Sequence, residues 1–264
     1  MVDMQSMLWT TIKMKIKNIA SGSKGNCTLL LCDDINLIID IGITYKQLIE
    51  TIKEINLSID DFFYLLITHN HKDHIKGLKT LLNKSNIKVL IPKKMFKSLK
   101  EEEPSIKEDN CIFIDEKYSI GNLNIELLNT SHDAPVSVGY NIKYNDKEIT
   151  YITDTGYLNR KILARIMNKD LYFIESNHDE KMLMEGPYPR FLKERVISDY
   201  GHLSNKMTSN YLKKVIGDKT KIIILAHLSE INNTKEKAKE AVKDIKNIKI
   251  YIADQKDGTP ILEI

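Results

Sequence analysis

Three histidines and one aspartate lie within the six residues from His69 to His74, which run His-Asn-His-Lys-Asp-His. In an extended backbone, residues two apart project to the same side, so His69 and His71 can reach one metal ion together. If the chain then turns into a helix at Asp73, the side chains of Asp73 and His74 point to a second, nearby position. Imidazole and carboxylate groups suit Zn²⁺, and also Mn²⁺ or Fe²⁺. The alternative, a polar surface turn, poorly explains three histidines directly after a buried strand.

The elements that must position this run are predicted by apolar patterning. Phe62–Ile67 is a strand that leads directly into the histidines, and Ile75–Leu82 is predicted to be the helix after them. Strands dominate up to Ile152, and further on helices such as Arg190–Ile197 and Asn205–Val215 alternate with strands. This order favours two sheets packed face to face with helices outside. We expect one domain over residues 1–264, with about residues 1–11 as an N-terminal extension.

Composition excludes few functions, but it indicates the cellular compartment in which the protein works. Hydrophobic residues make up 42% of the 264-residue chain and charged residues 28%, as in soluble globular proteins, and the net charge of +3 is too small to be diagnostic. No apolar run approaches the ~20 residues of a membrane span. Cys27, Cys32 and Cys111 form no CxxC pair, which favours a reducing compartment. The N-terminus lacks a signal-peptide pattern, so we expect a cytoplasmic protein without a membrane partner.

The whole pattern resembles the metallo-β-lactamase superfamily, whose signature is HxHxDH after an apolar strand. Four further residues stand in the order of that family, each after a predicted strand: Asp40, His132, Asp154 and His227. Alone, each would more often be a polar loop residue or a helix cap. The resemblance covers the chain apart from roughly its first ten residues. It implies an α+β fold, the αββα four-layer sandwich, with two mixed β-sheets flanked by helices.

By this resemblance, the site holds two divalent metal ions per chain, Zn²⁺ or Mn²⁺ with Fe²⁺ as a further candidate. The first ion would be held by His69, His71 and His132, the second by Asp73, His74 and His227, and Asp154 would bridge both. Asp40 resembles the aspartate that orients a histidine ligand. Two ions about 3.5–4 Å apart would clamp both oxygens of a displacement at phosphorus.

Three later segments resemble the nucleic-acid branch of the superfamily. Glu175 ends a strand in Glu-Ser-Asn-His-Asp, His202 lies in Gly-His-Leu-Ser just before a helix, and His227 lies in Ala-His-Leu-Ser. In those families a glutamate supports the histidine of the Gly-His segment, and that histidine serves the scissile phosphate. His178 is a competing candidate because it is closer in sequence to Glu175. Its Asn-His-Asp setting is more typical of a helix start.

A narrower resemblance is to the bacterial YycJ (also WalJ) group. The matching segments are Ala20–Cys27, Ser131–Ala134, Glu175–Asp179, Gly186–Pro189, Gly201–Asn205 and Ala226–Thr234. That group implies a DNA exonuclease that works from the 5′ end. The spacing of Asp154 and His202 leaves no room for the large insertion of the β-CASP nucleases. No segment resembles the long arm of the transfer-RNA 3′ processing enzymes.

The resulting hypothesis is a two-metal phosphodiesterase that hydrolyses DNA as a 5′→3′ exonuclease. Asp73 would ligate metal and hold the proton of the attacking hydroxide. His202, supported by Glu175, would stabilise charge on the phosphate or protonate the leaving oxygen. The alternatives are a small-molecule phosphodiesterase or thioesterase on the same metals, an RNA-processing nuclease of the same fold, and a regulatory scaffold without activity. The complete ligand set argues against the scaffold.

Signals for substrate contact are weaker. We expect contacts from Ser21, Ser23, Asn26, His178 and Tyr188. The glycine-serine loop of residues 21–26 would offer N–H groups to a phosphate, or it is simply a hairpin turn. Tyr188, Phe191 and Tyr200 would stack an unpaired base, although core packing is the favoured interpretation for Phe191. Lys93, Lys94, Lys97 and Lys100 form a basic stripe along DNA or, more in keeping with so lysine-rich a chain, a solvated helix face.

Overall fold

The computed structural model describes residues 13–264, so the expected N-terminal extension lies outside the described residues. Strands of the first sheet are β1 (Met14–Ala20), β2 (Cys27–Cys32), β3 (Asn36–Ile39), β4 (Phe62–Leu66), β5 (Lys88–Ile91), β6 (Cys111–Phe113) and β14 (Leu262–Glu263). Their spatial order is β14-β1-β2-β3-β4-β5-β6. The sheet is mixed, because β14, β1, β2 and β3 pair antiparallel whereas β3 to β6 are parallel.

The second sheet repeats this plan. Its strands are β7 (Lys117–Ile120), β8 (Leu123–Asn129), β9 (Val138–Tyr144), β10 (Lys147–Ile152), β11 (Leu171–Glu175), β12 (Ile222–Ala226) and β13 (Lys249–Ile252). They lie in the order β13-β12-β11-β10-β9-β8-β7. Strands β7 to β10 are antiparallel, and β10 to β13 are parallel. The expected pair of mixed sheets is confirmed.

Helices flank both sheets. They are α1 (Tyr45–Glu54), α2 (Lys72–Ile75), α3 (Leu78–Lys84), α4 (Lys93–Glu102), α5 (Arg160–Arg165), α6 (Glu180–Glu185), α7 (Arg190–Ile197), α8 (Asn205–Val215) and α9 (Lys235–Ala241). The first four pack in the same apolar cluster as the first sheet, and α5, α8 and α9 cover the outer face of the second. Among residues 13–264, no helix combines the length and apolar character needed to cross a bilayer.

Buried aromatic residues connect the two sheets. The Tyr151 ring stacks on Phe173 with centroids 4.3 Å apart, and its hydroxyl lies 3.2 Å from Thr28 Oγ1 on the first sheet. Tyr140 donates from its hydroxyl to the Ile67 carbonyl, which directly precedes the histidine run. All three rings are fully buried, and burying such a side chain typically contributes 1.5–3 kcal/mol or more. The packing therefore anchors the strand ends that carry the site.

Several predicted boundaries are wrong, each for a local reason. The single helix predicted over Ile75–Leu82 is two helices, α2 and α3, separated at Gly77. A Cβ at Gly77 would lie 2.5 Å from the Ile43 carbonyl oxygen, so the backbone there packs directly against the loop after β3. Strand β7 was not predicted from the sequence. It lies at the sheet edge and is mostly exposed, so its residues do not show the alternation of apolar and polar types that marks a half-buried strand. Strand β14 is only two residues long.

Candidate metal centre

Three histidines form a first group at the ends of β4 and β8. His69 follows β4, His71 is the residue that caps the N-terminus of α2, and His132 follows β8. One ring nitrogen from each lies within 4.8 Å of the other two. His69 Nε2 and His71 Nδ1 are 3.0 Å apart. The expected two-residue spacing thus brings both rings to one position, and His132 completes a three-nitrogen group that suits one metal ion.

Asp73, His74 and His227 form a second group, also within 4.8 Å of one another. Asp73 and His74 lie in the single turn of α2, and His227 follows β12. Asp73 Oδ2 is 3.6 Å from His74 Nε2 and 3.9 Å from His227 Nε2. The helix begins one residue before the expected turn at Asp73, and it places the His74 ring beside His69, with ring centroids 4.0 Å apart.

Asp154 lies between the two groups, two residues after the end of β10. Its Oδ2 is 3.3 Å from His74 Nε2, and its Oδ1 is 3.4 Å from His227 Nε2 and 3.9 Å from His132 Nε2. Within residues 13–264, Asp154 Oδ2 and His227 Nε2 are buried and have no hydrogen-bond partner. Buried polar atoms nearly always have a hydrogen-bond partner. These two buried atoms without a partner, one from each side of the cluster, therefore fit a site for a bound cation. The donor set of imidazoles and carboxylates also fits.

Three site residues hold a left-handed backbone conformation. Asp40, Asp154 and His227 have φ angles of 58°, 51° and 55°, and the other non-glycine residues with positive φ in the described chain are all asparagines. Such conformations cost of order 1–3 kcal/mol and concentrate at functional sites. Each of the three follows a parallel strand at its carboxyl end, where open α/β sheets commonly bind ligands.

Asp40 orients the His74 ring through a hydrogen bond. Its carboxylate is fully buried, and Oδ2 lies 2.8 Å from His74 Nδ1. Thr68 donates to the same carboxylate from its backbone N–H at 2.8 Å and its hydroxyl at 2.9 Å. Burial alone would lower the pKa of His74, but the charges of Asp40 and Asp154 raise it to about 10. Proton donation from Nδ1 leaves Nε2 directed at the Asp73–Asp154 side of the cluster.

Glu175 contacts two histidines with one oxygen. Its Oε1 is 2.6 Å from His202 Nδ1 and 3.0 Å from His227 Nδ1, while Oε2 accepts the backbone N–H groups of Thr155 and Leu203. Burial alone would raise the pKa of Glu175. The charge and hydrogen bond of His202 and the hydrogen bond of His227 outweigh it and lower the pKa to about 2. The sequence suggested the pairing with His202 but not the one with His227.

The histidines of the cluster are shifted in opposite directions. Burial lowers the pKa of His69 well below its usual value and also lowers that of His132. Burial would lower the pKa of His227 too, but the charge of Asp154 raises it well above its usual value. Burial would raise the pKa of Asp154, but His227 and His74 in turn hold it well below its usual range. Neutral imidazole and ionised carboxylate are the forms that bind metal ions, so His74 and His227 would release a proton when metal binds.

A cavity of about 220 Å³ opens beside the cluster. His132, His202 and His227 line it, together with Ser23, Tyr188 and Arg195 among others. Within residues 13–264, His202 is the one histidine that lines this cavity without belonging to the seven proposed ligands. It lies just before Ser204, the side chain of which caps α8.

The glycine-serine loop is a tight hairpin connection between β1 and β2. Ser21 Oγ accepts the backbone N–H of His227 at 2.9 Å, and the Asn26 side chain bonds Gly22 and lies 2.9 Å from His74 Nε2. The backbone N–H groups of Ser21, Gly22, Gly25 and Asn26 all have partners inside the protein. The hairpin alternative is therefore favoured over an open phosphate loop, and Ser23 alone of the three polar residues lines the cavity.

The remaining candidate contact residues separate into two kinds. Tyr188 lines the cavity, whereas His178 is buried and lies outside the cavity wall. Phe191 is 71% exposed and Tyr200 63% exposed, so the prediction of core packing for Phe191 is wrong. Its position on the outer face of α7 could not be predicted because that helix follows two prolines and has a weak apolar stripe.

The lysine stripe lies along α4, which packs beside the histidine run through a bond from Asn70 to the Ser98 carbonyl. Lys93, Lys94, Lys97 and Lys100 are all exposed. Lys94 donates to Asn129, and Lys100 lies over the Phe96 ring. These contacts match the solvated helix face.

Comparison with known proteins agrees with this geometry. A model of the beta-lactamase superfamily domain matches residues 36–228, from β3 to just past His227. The chain belongs to the metallo-β-lactamase superfamily. Within that superfamily it is 34% identical to exodeoxyribonuclease WalJ of Streptococcus pneumoniae serotype 2, over 96% of this chain and 99% of the relative. It is 36% identical to exodeoxyribonuclease YycJ of Bacillus anthracis, over 86% of this chain and 87% of the relative.

Solved structures of superfamily members share the fold at much lower identity. The metallo-β-lactamase fold protein YhfI of Bacillus subtilis superposes with a TM-score of 0.69 at 16% identity, covering 96% of this chain and all of that one. Zn²⁺-bound PqqB of Methylobacterium extorquens gives 0.69 at 13% identity, covering 95% of this chain and all of that one. These likenesses establish the αββα architecture.

Two residues beside the cluster were missed by the sequence analysis. Asp133 Oδ1 lies 3.3 Å from His132 Nε2 and 3.7 Å from His71 Nε2, and Arg195 Nε donates to Asp133 Oδ2 at 2.6 Å. Burial would raise the pKa of Asp133, but His132 and Arg195 lower it below its usual range. Its place next to His132 in the chain was an available signal, whereas nothing local marks Arg195.

Proposed function

We propose that this protein is a two-metal phosphodiesterase that hydrolyses DNA, acting as a 5′→3′ exonuclease. The observation that carries the proposal is the near full-length similarity to two relatives named exodeoxyribonuclease. The assembled cluster of histidines and carboxylates supports the metal requirement. The 5′→3′ direction rests on the resemblance to the YycJ group alone.

His69, His71 and His132 would hold one divalent ion, and Asp73, His74 and His227 a second, with Asp154 between them. Zn²⁺ and Mn²⁺ both suit this donor set, and Fe²⁺ is compatible with it. When bound, two such ions would polarise the phosphate and lower the pKa of an attacking water.

The protein's own groups have distinct parts in the reaction. Asp73 is a partly exposed carboxylate at the cluster and can accept the proton of the attacking water while it ligates metal. His202 lines the cavity, where it can protonate the leaving oxygen or stabilise charge on the phosphate. Glu175, held ionised, fixes the His202 ring through Nδ1.

One aromatic side chain of the cavity lining offers a contact for an unpaired base. Tyr188 lines the cavity, whereas the exposed rings of Phe191 and Tyr200 lie on or just after α7, outside the lining. Base stacking on such a ring is worth roughly 1–3 kcal/mol and tolerates any base. The position of Tyr188 in the cavity beside the metal cluster favours a single-stranded nucleic acid end over a small apolar substrate.

We also infer that the enzyme works in the cytoplasm. Cys27, Cys32 and Cys111 are unpaired in the described chain. Unpaired cysteines are typical of a reducing compartment. Burial raises the pKa of Cys32 to about 12 and that of Cys111 to about 11, which keeps both thiols protonated and slow in disulfide exchange.

A panel of end-labelled DNA and RNA, single- and double-stranded, tests the proposal with Mn²⁺- or Zn²⁺-loaded protein. We expect a 5′ label to be released as the smallest product while a 3′-labelled strand shortens progressively. The matched control is His71→Ala with Asp154→Ala, purified and loaded in the same way. Cleavage of RNA alone would change the substrate class, and release of the 3′ label first would reverse the direction. Intact DNA and RNA with cleavage of a small phosphodiester would establish the small-molecule alternative.

A further inference from the structure

One wall of the cavity is formed by α7 and the residues just before it. Tyr188, Leu192 and Arg195 line the cavity. Leu192 and Arg195 are three residues apart and lie along one face of α7, and Tyr188 lies two residues before the helix begins. Within the described residues, Arg195 supplies the only arginine or lysine side chain of the cavity wall. His132 and His227 from the metal cluster line the same cavity, so a strand bound there would lie within reach of both the cluster and Arg195.

Asp133 fixes the position of the Arg195 guanidinium. Arg195 Nε donates to Asp133 Oδ2 at 2.6 Å, and Nη2 forms a close ion pair with the same oxygen. The other oxygen, Oδ1, lies 3.3 Å from His132 Nε2 and 3.7 Å from His71 Nε2. One carboxylate therefore ties the guanidinium to two proposed ligands of the first metal ion.

The guanidinium retains donors for a ligand. A guanidinium has five N–H groups, of which Asp133 engages two, and the Arg195 side chain is 58% exposed. Free, preoriented arginine donors match the oxygens of a phosphate group. Arg195 places a positive charge on this wall, next to the proposed metal site, where it attracts the phosphates of a polyanion.

We propose that Arg195 binds a backbone phosphate of the substrate strand next to the scissile bond, and that Asp133 positions its guanidinium. This inference rests on the proposed function, because it assumes a nucleic acid strand in the cavity. Arg195 is then a substrate-binding residue, and Asp133 acts through it.

Arg190 provides a matched control on the same helix. It is exposed, pairs with Glu194 at 2.7 Å and does not line the cavity. We would measure binding of a fluorescent single-stranded oligonucleotide to metal-free protein in EDTA by anisotropy, over a series of salt concentrations. Arg195→Ala should weaken binding roughly tenfold. It should also reduce the slope of log affinity against log salt by about 0.7, the value for one lost phosphate contact. Arg190→Ala should stay close to wild type.

Steady-state kinetics of the metal-loaded enzyme give a second readout. The loss in Arg195→Ala should appear mainly in KM, with metal content unchanged, and Arg195→Lys should restore the salt slope but only part of the affinity. Equal affinities and equal salt slopes for Arg195→Ala and Arg190→Ala would overturn this inference alone. A wild-type enzyme that neither binds nor cleaves DNA would overturn the proposed function, and this inference with it.

Discussion

Glu175 Oε1 and His202 Nδ1 are 2.6 Å apart, and the carboxylate is the acceptor because its pKa of about 2 keeps it ionised at neutral pH. The same oxygen accepts from His227 Nδ1 at 3.0 Å. Both imidazoles therefore carry a proton on Nδ1. This leaves Nε2 of His202 available for the substrate and Nε2 of His227 available for a metal ion. One buried carboxylate thus orients a proposed catalytic group and a proposed metal ligand at once.

His202→Ala should lower kcat by about 10²–10⁴-fold, the usual contribution of a positioned general acid. The reason is that His202 lines the cavity and is not one of the seven proposed ligands, although one of its ring nitrogens lies within 4.8 Å of possible ligand atoms of Asp154, Glu175 and His227. Turnover of labelled DNA and elemental analysis of the same sample measure the two effects. Metal content should remain near wild type, and loss of metal in this variant would show that His202 is a ligand.

Glu175→Gln should affect metal binding as well as turnover. The amide keeps the shape of the side chain but loses the charge that holds the His227 ring, and loss of such a partner typically weakens metal affinity by about 10–100-fold. At saturating metal, kcat should fall less than in His202→Ala. The double variant should then be little worse than His202→Ala, because the pair acts as a unit. Losses that multiply at saturating metal would contradict the pairing.

The residues that the sequence could predict share one property: each stands at the end of a strand or in the compact run from His69 to His74. Apolar patterning marks the strands, but the choice of Asp40, His132, Asp154 and His227 came from the order of the family's motif and not from local pattern. Spacing within the run sets the directions of its side chains without any long-range information. The structure brings all seven expected ligand residues together.

What could not be predicted depends on contacts between distant segments. The bond from Glu175 to His227 joins the ends of two neighbouring parallel strands, 52 residues apart, and requires their register. The contact of Arg195 with Asp133 joins α7 to the loop after β8, 62 residues away. The exposure of Phe191 depends on which face of α7 packs inward. No local pattern contains these facts, because they arise only when the sheets are assembled.

Metal-loaded protein should contain close to two equivalents of divalent metal. His71→Ala removes a member of the first group only, so about one equivalent should remain at moderate metal concentration. Asp154→Ala should weaken both sites, because Asp154 contacts His74, His227 and His132. Elemental analysis after gel filtration measures the ratio. Wild-type stoichiometry in the variant that carries both substitutions would refute the proposed ligands.

Asp40→Asn should weaken metal binding by about 10–100-fold although Asp40 is not a proposed ligand. The substitution removes the charge that faces His74 Nδ1 at 2.8 Å and leaves the ring free to adopt the other tautomer. Competition with a chromogenic chelator measures the affinity. Asp170→Asn is the matched control, since Asp170 is also a buried carboxylate but accepts the backbone N–H of Glu148 far from the cluster. Equal effects of the two substitutions would mean that only general stability was measured.

His178 should make the protein less stable as the pH falls from about 6.5 to about 4. Burial lowers its pKa from 6.5 to about 4, an effect that His202 adds to and Glu175, Glu180 and Asp179 oppose. The folded state therefore keeps His178 neutral, while the unfolded chain takes up a proton below pH 6.5. The unfolded state binds more protons across this window, so the free energy of unfolding declines as pH decreases and the loss levels off below the folded pKa.

Urea unfolding of wild type and His178→Asn in EDTA, at pH 7 and pH 5, isolates this contribution. With a folded pKa of about 4, wild type should lose about 2 kcal/mol more than the variant between these two pH values. Other groups titrate equally in both proteins, so the difference between the two losses reports on position 178. The Nδ1 atom of His178 is buried and has no hydrogen-bond partner in the described chain, so a proton added at Nδ1 would find no acceptor. Parallel pH dependences would show that His178 is protonated as readily in the fold as in the unfolded chain.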